Sequence, residues 1–355
     1  MMTEQKKSEK TLKQTKEKKI RIGDISIPNY FEEEIEQTYQ TGITPIDVIL
    51  EGGITPGILQ LVGESSTGKT FLATQISYNF CKSGKNVLYI DTKGDINSKL
   101  MKIMNLEAYN NSRFYYLRES SFSLVEKQIE KFISTGELSL IVIDSISGLI
   151  NGRYLSLNDK TSISSDNNNT NYDTRPLILF IRKIKKLSLK YNIRILLTND
   201  FSNKVEIYGN RGTVRRIKGP KCLQYESNYI LQINSSSNND KFKEFKRRFE
   251  PLEKANKVQI LELEVIKSNK TTPHLKLPYV LEYGKGYSDL YPHILWLINM
   301  ERIKQDKTYF SIGDKKFNGM LNLINYIHQI CQNCSNSNEQ SNSKSKEYYQ
   351  SILDN

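Results

Sequence analysis

The chain has 355 residues, a formal net charge of +12 and four cysteines, with 37% of its residues hydrophobic. That length supports a large core, in one main domain with room for a small second one, and the charge excess makes an anionic partner an expectation. No apolar run approaches the roughly 20 residues of a membrane span. No signal peptide is recognisable, and Cys81, Cys222, Cys331 and Cys334 offer one lone C-x-x-C with nothing to complete a zinc site, so the expectation is a soluble intracellular protein with reduced thiols.

Residues 1–23 form a lysine-rich arm with interspersed glutamates and few apolar residues, a composition expected to stay disordered. Its acidic residues and shortage of arginine set it apart from a mitochondrial presequence. A lead-in segment over 24–57 closes in Leu50-Glu51-Gly52-Gly53-Ile54-Thr55-Pro56-Gly57, whose glycines and proline make a turn. Over 58–284, apolar runs of strand length alternate with helix-spaced patterns, which predicts an α/β core with a mostly parallel sheet. Strands are expected at 58–62, 86–90, 114–117, 139–143, 193–198, 228–233, 259–266 and 278–283. Helices are expected at 69–82, 95–104, 121–134 and 176–190. Two stretches break the alternation: 151–175 is polar and turn-rich, expected as a loop, and 235–257 is charged and reads as an enlarged hairpin. Beyond the core, 285–331 reads as a small α/β unit with helices at 291–300 and 320–331 and a short strand at 308–310. The tail, 332–355, is rich in Ser, Asn and Lys and is expected to be disordered.

Chemistry concentrates after the first core strand, in Gly63-Glu64-Ser65-Ser66-Thr67-Gly68-Lys69-Thr70. A strand before it and a helix after it make this a phosphate-binding P-loop, in which backbone N–H groups and the helix N-terminus cradle phosphate. Lys69 is placed to reach the β- and γ-phosphates, and Thr70 to offer its hydroxyl to Mg²⁺. The run Leu138-Ser139-Leu140-Ile141-Val142-Ile143 ends in Asp144. A strand buried on both faces would deliver that carboxylate at its carboxyl edge, where it can hold Mg²⁺ directly or through water.

Five further segments, in order, carry a resemblance. They are Leu88-Tyr89-Ile90-Asp91-Thr92, Ile195-Leu196-Leu197-Thr198-Asn199-Asp200, Val265-Ile266-Lys267-Ser268-Asn269-Lys270-Thr271-Thr272-Pro273, Leu281-Glu282-Tyr283-Gly284-Lys285-Gly286 and Thr308-Tyr309-Phe310-Ser311-Ile312-Gly313-Asp314. With the P-loop they resemble the RecA-type strand-exchange recombinases, more the bacterial and phage branch than the eukaryotic one, over residues 41–330. The resemblance implies a RecA-type P-loop NTPase core with a small C-terminal α/β subdomain, using ATP and Mg²⁺ in the cytoplasm or nucleoid of a bacterium or phage-infected cell. It implies a helical filament of many copies on single-stranded DNA, which pairs that strand with homologous double-stranded DNA. The DNA-contacting loops would be 151–175 and 201–221, the second carrying Tyr208 as a wedge between bases, with Lys204, Arg211, Arg215, Arg216 and Lys218 close by. Cations interleaved with an aromatic neutralise phosphates and offer a stacking surface. Lys267 and Lys270 would reach the γ-phosphate of a neighbouring protomer, and Asn97 would bond the base.

Against the family pattern, Lys93 stands where a glutamate polarises the attacking water, and a charged ammonium accepts no proton. Asp200 replaces the glutamine that senses the γ-phosphate, and would be repelled by phosphate unless Mg²⁺ or lysine intervened. Arg215-Arg216-Ile217-Lys218 replaces a threonine- and glycine-rich stretch. These departures predict slow or absent hydrolysis. They leave two function classes open: an autonomous recombinase with a DNA-stimulated ATPase, or an ATP-binding accessory subunit that caps, loads or stabilises another recombinase's filament.

Overall fold

The computed structural model describes residues 20–22, 25–27, 38–149, 175–205, 213–254 and 257–333. Two strands near the N-terminus, β1 (Ile20–Ile22) and β2 (Ile25–Ile27), form a small antiparallel hairpin. They belong to a unit, residues 1–37, separate from the body over 38–355. The expected disordered arm and tail, and the loop expected over 151–175, lie almost wholly outside the described residues.

The body is built on a 10-stranded sheet. Its strands are β3 (Gly57–Gly63), β4 (Asn86–Asp91), β5 (Phe114–Arg118), β6 (Leu138–Asp144), β7 (Arg194–Val205), β8 (Thr213–Ile217), β9 (Tyr229–Asn234), β10 (Val258–Lys267), β11 (Lys276–Glu282) and β12 (Gly286–Tyr287). The order β12-β11-β10-β9-β3-β7-β6-β4-β5 puts the apolar strand β3 in the middle, and β8 pairs only with β7. From β9 to β5 every pairing is parallel, whereas β10, β11 and β12 run antiparallel to their neighbours. Strands buried on both faces need no alternation, and every residue of β3 is buried.

Helices cover both faces. On one side α1 (Thr44–Ile49) and α2 (Lys69–Lys82) bury Ile46, Leu72, Ile76 and Phe80 against Leu59, Leu61 and Tyr89. On the other, α4 (Phe122–Ser134) and α5 (Arg175–Lys190) set Val125, Ile129, Phe180 and Ile184 against Ile58, Leu88 and Ile143. A short α3 (Ser98–Ile103) follows β4, and α6 (Lys221–Glu226) precedes β9. All eight expected core strands and four expected core helices are present, with shifted ends; β7 runs seven residues beyond its expected end at 198.

One segment corrects the sequence reading. The charged stretch over 235–257 contains a helix, α7 (Asp240–Lys254), where an enlarged hairpin was expected. Phe242, Phe245, Phe249 and Leu252 fall three and four apart and are buried together, leaving the charges on the outer face. Those four pack with Val258, Ile260 and Val280 of β10 and β11, and with Tyr291, Ile294 and Ile324 of α8 (Leu290–Asn299) and α9 (Met320–Asn333). Between α8 and α9 lies an antiparallel sheet of β13 (Lys304–Asp306), β14 (Tyr309–Ile312) and β15 (Lys315–Asn318). The small C-terminal α/β unit is thus present, and α7 from the core shares its hydrophobic cluster.

Candidate nucleotide-binding site

Parallel strands bring their carboxyl ends to one edge, and register decides which residues meet there. Gly63 of β3 pairs with Asp200 of β7, and Asp91 of β4 pairs with Asp144 of β6. The P-loop leaves β3 at this edge and turns into α2, whose N-cap Gly68 has φ 81°, a left-handed conformation that favours glycine. A Cβ on Gly68 would stand 2.5 Å from Leu281 Cδ1, and one on Gly63 would stand 2.6 Å from Thr67 Oγ1. The loop is therefore drawn tight, with the Thr67 hydroxyl donating to the Glu64 carbonyl at 2.8 Å.

A cavity of about 700 Å³ opens over this loop, lined by Glu64, Ser65, Ser66, Gly68, Lys69, Thr70 and, from other elements, Lys93, Asp95, Asp144, Asp200 and Lys218. Lys69 Nζ donates to the carbonyls of Gly63 at 3.0 Å and Glu64 at 2.6 Å, and lies 3.1 Å from Asp200 Oδ1. Asp144 accepts from the Tyr89 hydroxyl at 2.8 Å and from the Thr198 hydroxyl. Burial, and then the Asp144 charge, holds the Tyr89 phenol well above its usual pKa, so it remains a donor. One fixed carboxylate lining the same cavity as Thr70 suits Mg²⁺, which takes its remaining ligands from phosphate and water. The glycine-tight loop, its lysine and this carboxylate fit a nucleoside triphosphate with Mg²⁺.

The segment after β4 is held by Asp91. Its carboxylate accepts from the backbone N–H of Gly94 at 2.7 Å and Ile96 at 3.0 Å, and from the Tyr116 hydroxyl at 2.8 Å. Asp91 is thus committed to the loop, whereas the exposed Asp95 lines the cavity. Lys93, rooted in that loop, sends its ammonium to Asp200 Oδ2 at 2.9 Å. Burial raises the Asp200 pKa, but the Lys93 and Lys69 ammoniums outweigh it and bring the carboxyl down to about 2. The predicted repulsion at Asp200 is met by two lysines.

The remaining expected residues are distributed as follows. Asn97 caps α3, its side chain accepting from Leu100 N at 2.9 Å, and lines a separate cavity of about 290 Å³ with Met101 and Tyr116. Lys267 Nζ donates to the carbonyls of Gln224, Tyr225 and Ser227 at 2.7–3.0 Å, closing the end of α6, and burial, then Lys185, lowers its pKa. Lys270 is exposed, and neither of these two lysines lines the P-loop cavity. Within the segment expected as a DNA loop over 201–221, residues 201–205 and 213–217 pair as the two antiparallel strands of a hairpin, Phe201 with Ile217 and Val205 with Thr213. Lys204 and Arg215 lie on its strands and Arg216 is exposed on it, while Tyr208 and Arg211 fall outside the described residues. Lys218 closes its base, donating its N–H to the Asp200 carbonyl at 3.0 Å and accepting from Asn199 Nδ2 at 2.8 Å.

A family model described as the RecA N-terminal domain matches residues 6–288. The chain belongs to the RecA family. Among curated RecA-family relatives, Protein RecA of Campylobacter jejuni is 24% identical over 304 residues, covering 84% of this chain and 79% of the relative. Protein RecA of Aquifex aeolicus is 23% identical over 321 residues, covering 89% and 86%, and that of Mycoplasma mycoides 22% over 305, covering 84% and 81%. At such identities this is a divergent member of the RecA family. Among the described residues no helix is long and apolar enough to cross a membrane.

Proposed function

We propose that the protein is an ATP-dependent DNA-binding recombinase that polymerises on single-stranded DNA and promotes homologous pairing and strand exchange. The observation that carries this reading is the position of Asp200. It lines the P-loop cavity, bonds Lys69, and begins the β7–β8 hairpin on which Lys204, Arg215 and Arg216 lie. Nucleotide state and the setting of that basic hairpin therefore share one residue. Bound Mg²⁺ and ATP would be held by the P-loop backbone, Lys69, Thr70 and Asp144, and hydrolysis of the triphosphate is the chemistry the nucleotide supplies. In a filament, Lys267 and Lys270 act from a neighbouring copy, which requires Lys267 to leave the three carbonyls it bonds here.

A second reading draws on Lys93. It pairs with Asp200, and Asp91 is committed to the loop, so neither of these two residues supplies a base for water. This favours slow turnover and an accessory subunit of another recombinase's filament. ATP turnover with and without single-stranded DNA, beside a Lys69→Ala control, tests the first reading. DNA-stimulated hydrolysis lost in the control, together with strand exchange by the protein alone, is the expected result. ATP-dependent DNA binding without turnover or exchange would overturn the autonomous recombinase in favour of the accessory subunit.

A further inference from the structure

The P-loop and the segment after β4 converge on one carboxylate. Asp200 Oδ1 lies 3.1 Å from Lys69 Nζ and Oδ2 lies 2.9 Å from Lys93 Nζ, with the Asp200 side chain only 19% exposed. Two ammoniums from different strand ends thus hold the two oxygens of a single small anion. A terminal phosphoryl group can be gripped in the same manner, because it offers neighbouring oxygens and more negative charge. We propose that Lys93 is a ligand for the terminal phosphate of a nucleoside triphosphate, closing on it together with Lys69, and that Asp200 keeps that phosphate's place beforehand. The inference rests on the nucleotide reading of the P-loop.

The geometry separates the root of Lys93 from its tip. Asp91 accepts the N–H groups of Gly94 and Ile96 just after Lys93, so its backbone is anchored at the cavity mouth. Its side chain is 36% exposed and ends in an ammonium that pairs with Asp200. A lysine placed in this way can exchange one anion for another without moving the chain that carries it. Asp200 and a phosphate would compete for the same two lysines, since like charges repel at that separation. Lys218, which lines the same cavity and bonds the Asp200 backbone, is a cation on the hairpin side to receive a displaced carboxylate. A diphosphate ends one phosphate short and leaves the Asp200–Lys93 pair in place. Lys93 therefore distinguishes triphosphate from diphosphate, a task separate from general-base chemistry.

Binding of Mg²⁺-ADP and of the non-hydrolysable Mg²⁺-AMP-PNP, measured by calorimetry on the full chain, tests this. Lys93→Ala is expected to weaken AMP-PNP on the order of tenfold, the usual scale for losing one charge-assisted bond, and to leave ADP affinity unchanged, which also reports an intact fold. Lys93→Arg should restore AMP-PNP binding, and Asp200→Asn should tighten it by removing the competing anion. If Lys93→Ala leaves AMP-PNP unchanged, or weakens both nucleotides alike, the clamp is wrong. Lys69-dependent binding of both nucleotides would in that case leave the P-loop reading standing. Failure of the wild-type protein to bind either nucleotide would overturn both.

Discussion

Replacing Asp200 by Asn keeps the shape of the side chain and removes the charge that holds Lys69 and Lys93 together. On folding, the carboxyl pKa falls from 3.8 to about 2. At 1.36 kcal/mol per unit the charged form contributes about 2 kcal/mol at neutral pH. The partial exposure of Lys93 admits solvent screening, which lowers the expectation to about 1–2 kcal/mol. Because the folded pKa lies below the unfolded one, this stability is present above 3.8 and is lost as pH falls through about 2. Urea unfolding of wild type and Asp200→Asn, without nucleotide and followed by circular dichroism, should show the full difference at pH 7. Near pH 3, about half of that difference should remain. Equal stability at pH 7, or a difference that does not shrink in acid, would refute a charged Asp200 bridging two lysines.

Three further tests probe the site and the core. Lys93→Glu alone would set a second carboxylate beside Asp200, so a gain in DNA-stimulated phosphate release is expected only when Asp200→Gln accompanies it, on the order of 10²-fold for a restored base; no gain in the double variant would reject the missing-base explanation. Asp95→Asn should lower any residual turnover at least about tenfold while leaving nucleotide binding intact, because Asp95 lines the cavity and Asp91 is committed to its loop; unchanged turnover would exclude Asp95 as the base. Phe249 is fully buried, with ring centroids 5.0 Å from Phe245 and 5.3 Å from Tyr291. Its replacement by Ala should cost about 3–5 kcal/mol in urea unfolding, and a cost under about 1 kcal/mol would mean that α7 does not pack as described.

The core strands and their order of chemistry were legible because buried parallel strands are apolar throughout and P-loop residues are contiguous. Leu138–Asp144 shows this well: one run supplies both the strand and the carboxylate it delivers. The helix α7 was equally written in Phe242, Phe245, Phe249 and Leu252, but the charges between them, on its solvent face, hid the period. The β7–β8 hairpin had no comparable signal. Its pairing from Phe201 to Val205 rests on backbone hydrogen bonds between largely polar residues, for which composition carries no period.

Sequence by itself determined the candidate residues: the glycine-bounded loop with Lys69, a strand ending in Asp144, and the two unusual residues Lys93 and Asp200. Only the tertiary structure decided what those residues do to one another. Lys93 and Asp200 are 107 positions apart in the chain, yet their side chains lie 2.9 Å apart because β4 and β7 end at the same edge of the sheet. The fates of Asn97 as a helix cap and of Lys267 on the carbonyls of α6 were decided in the same way. A motif is local and survives translation into residues, whereas the partner of a long charged side chain depends on which strand ends the fold brings together.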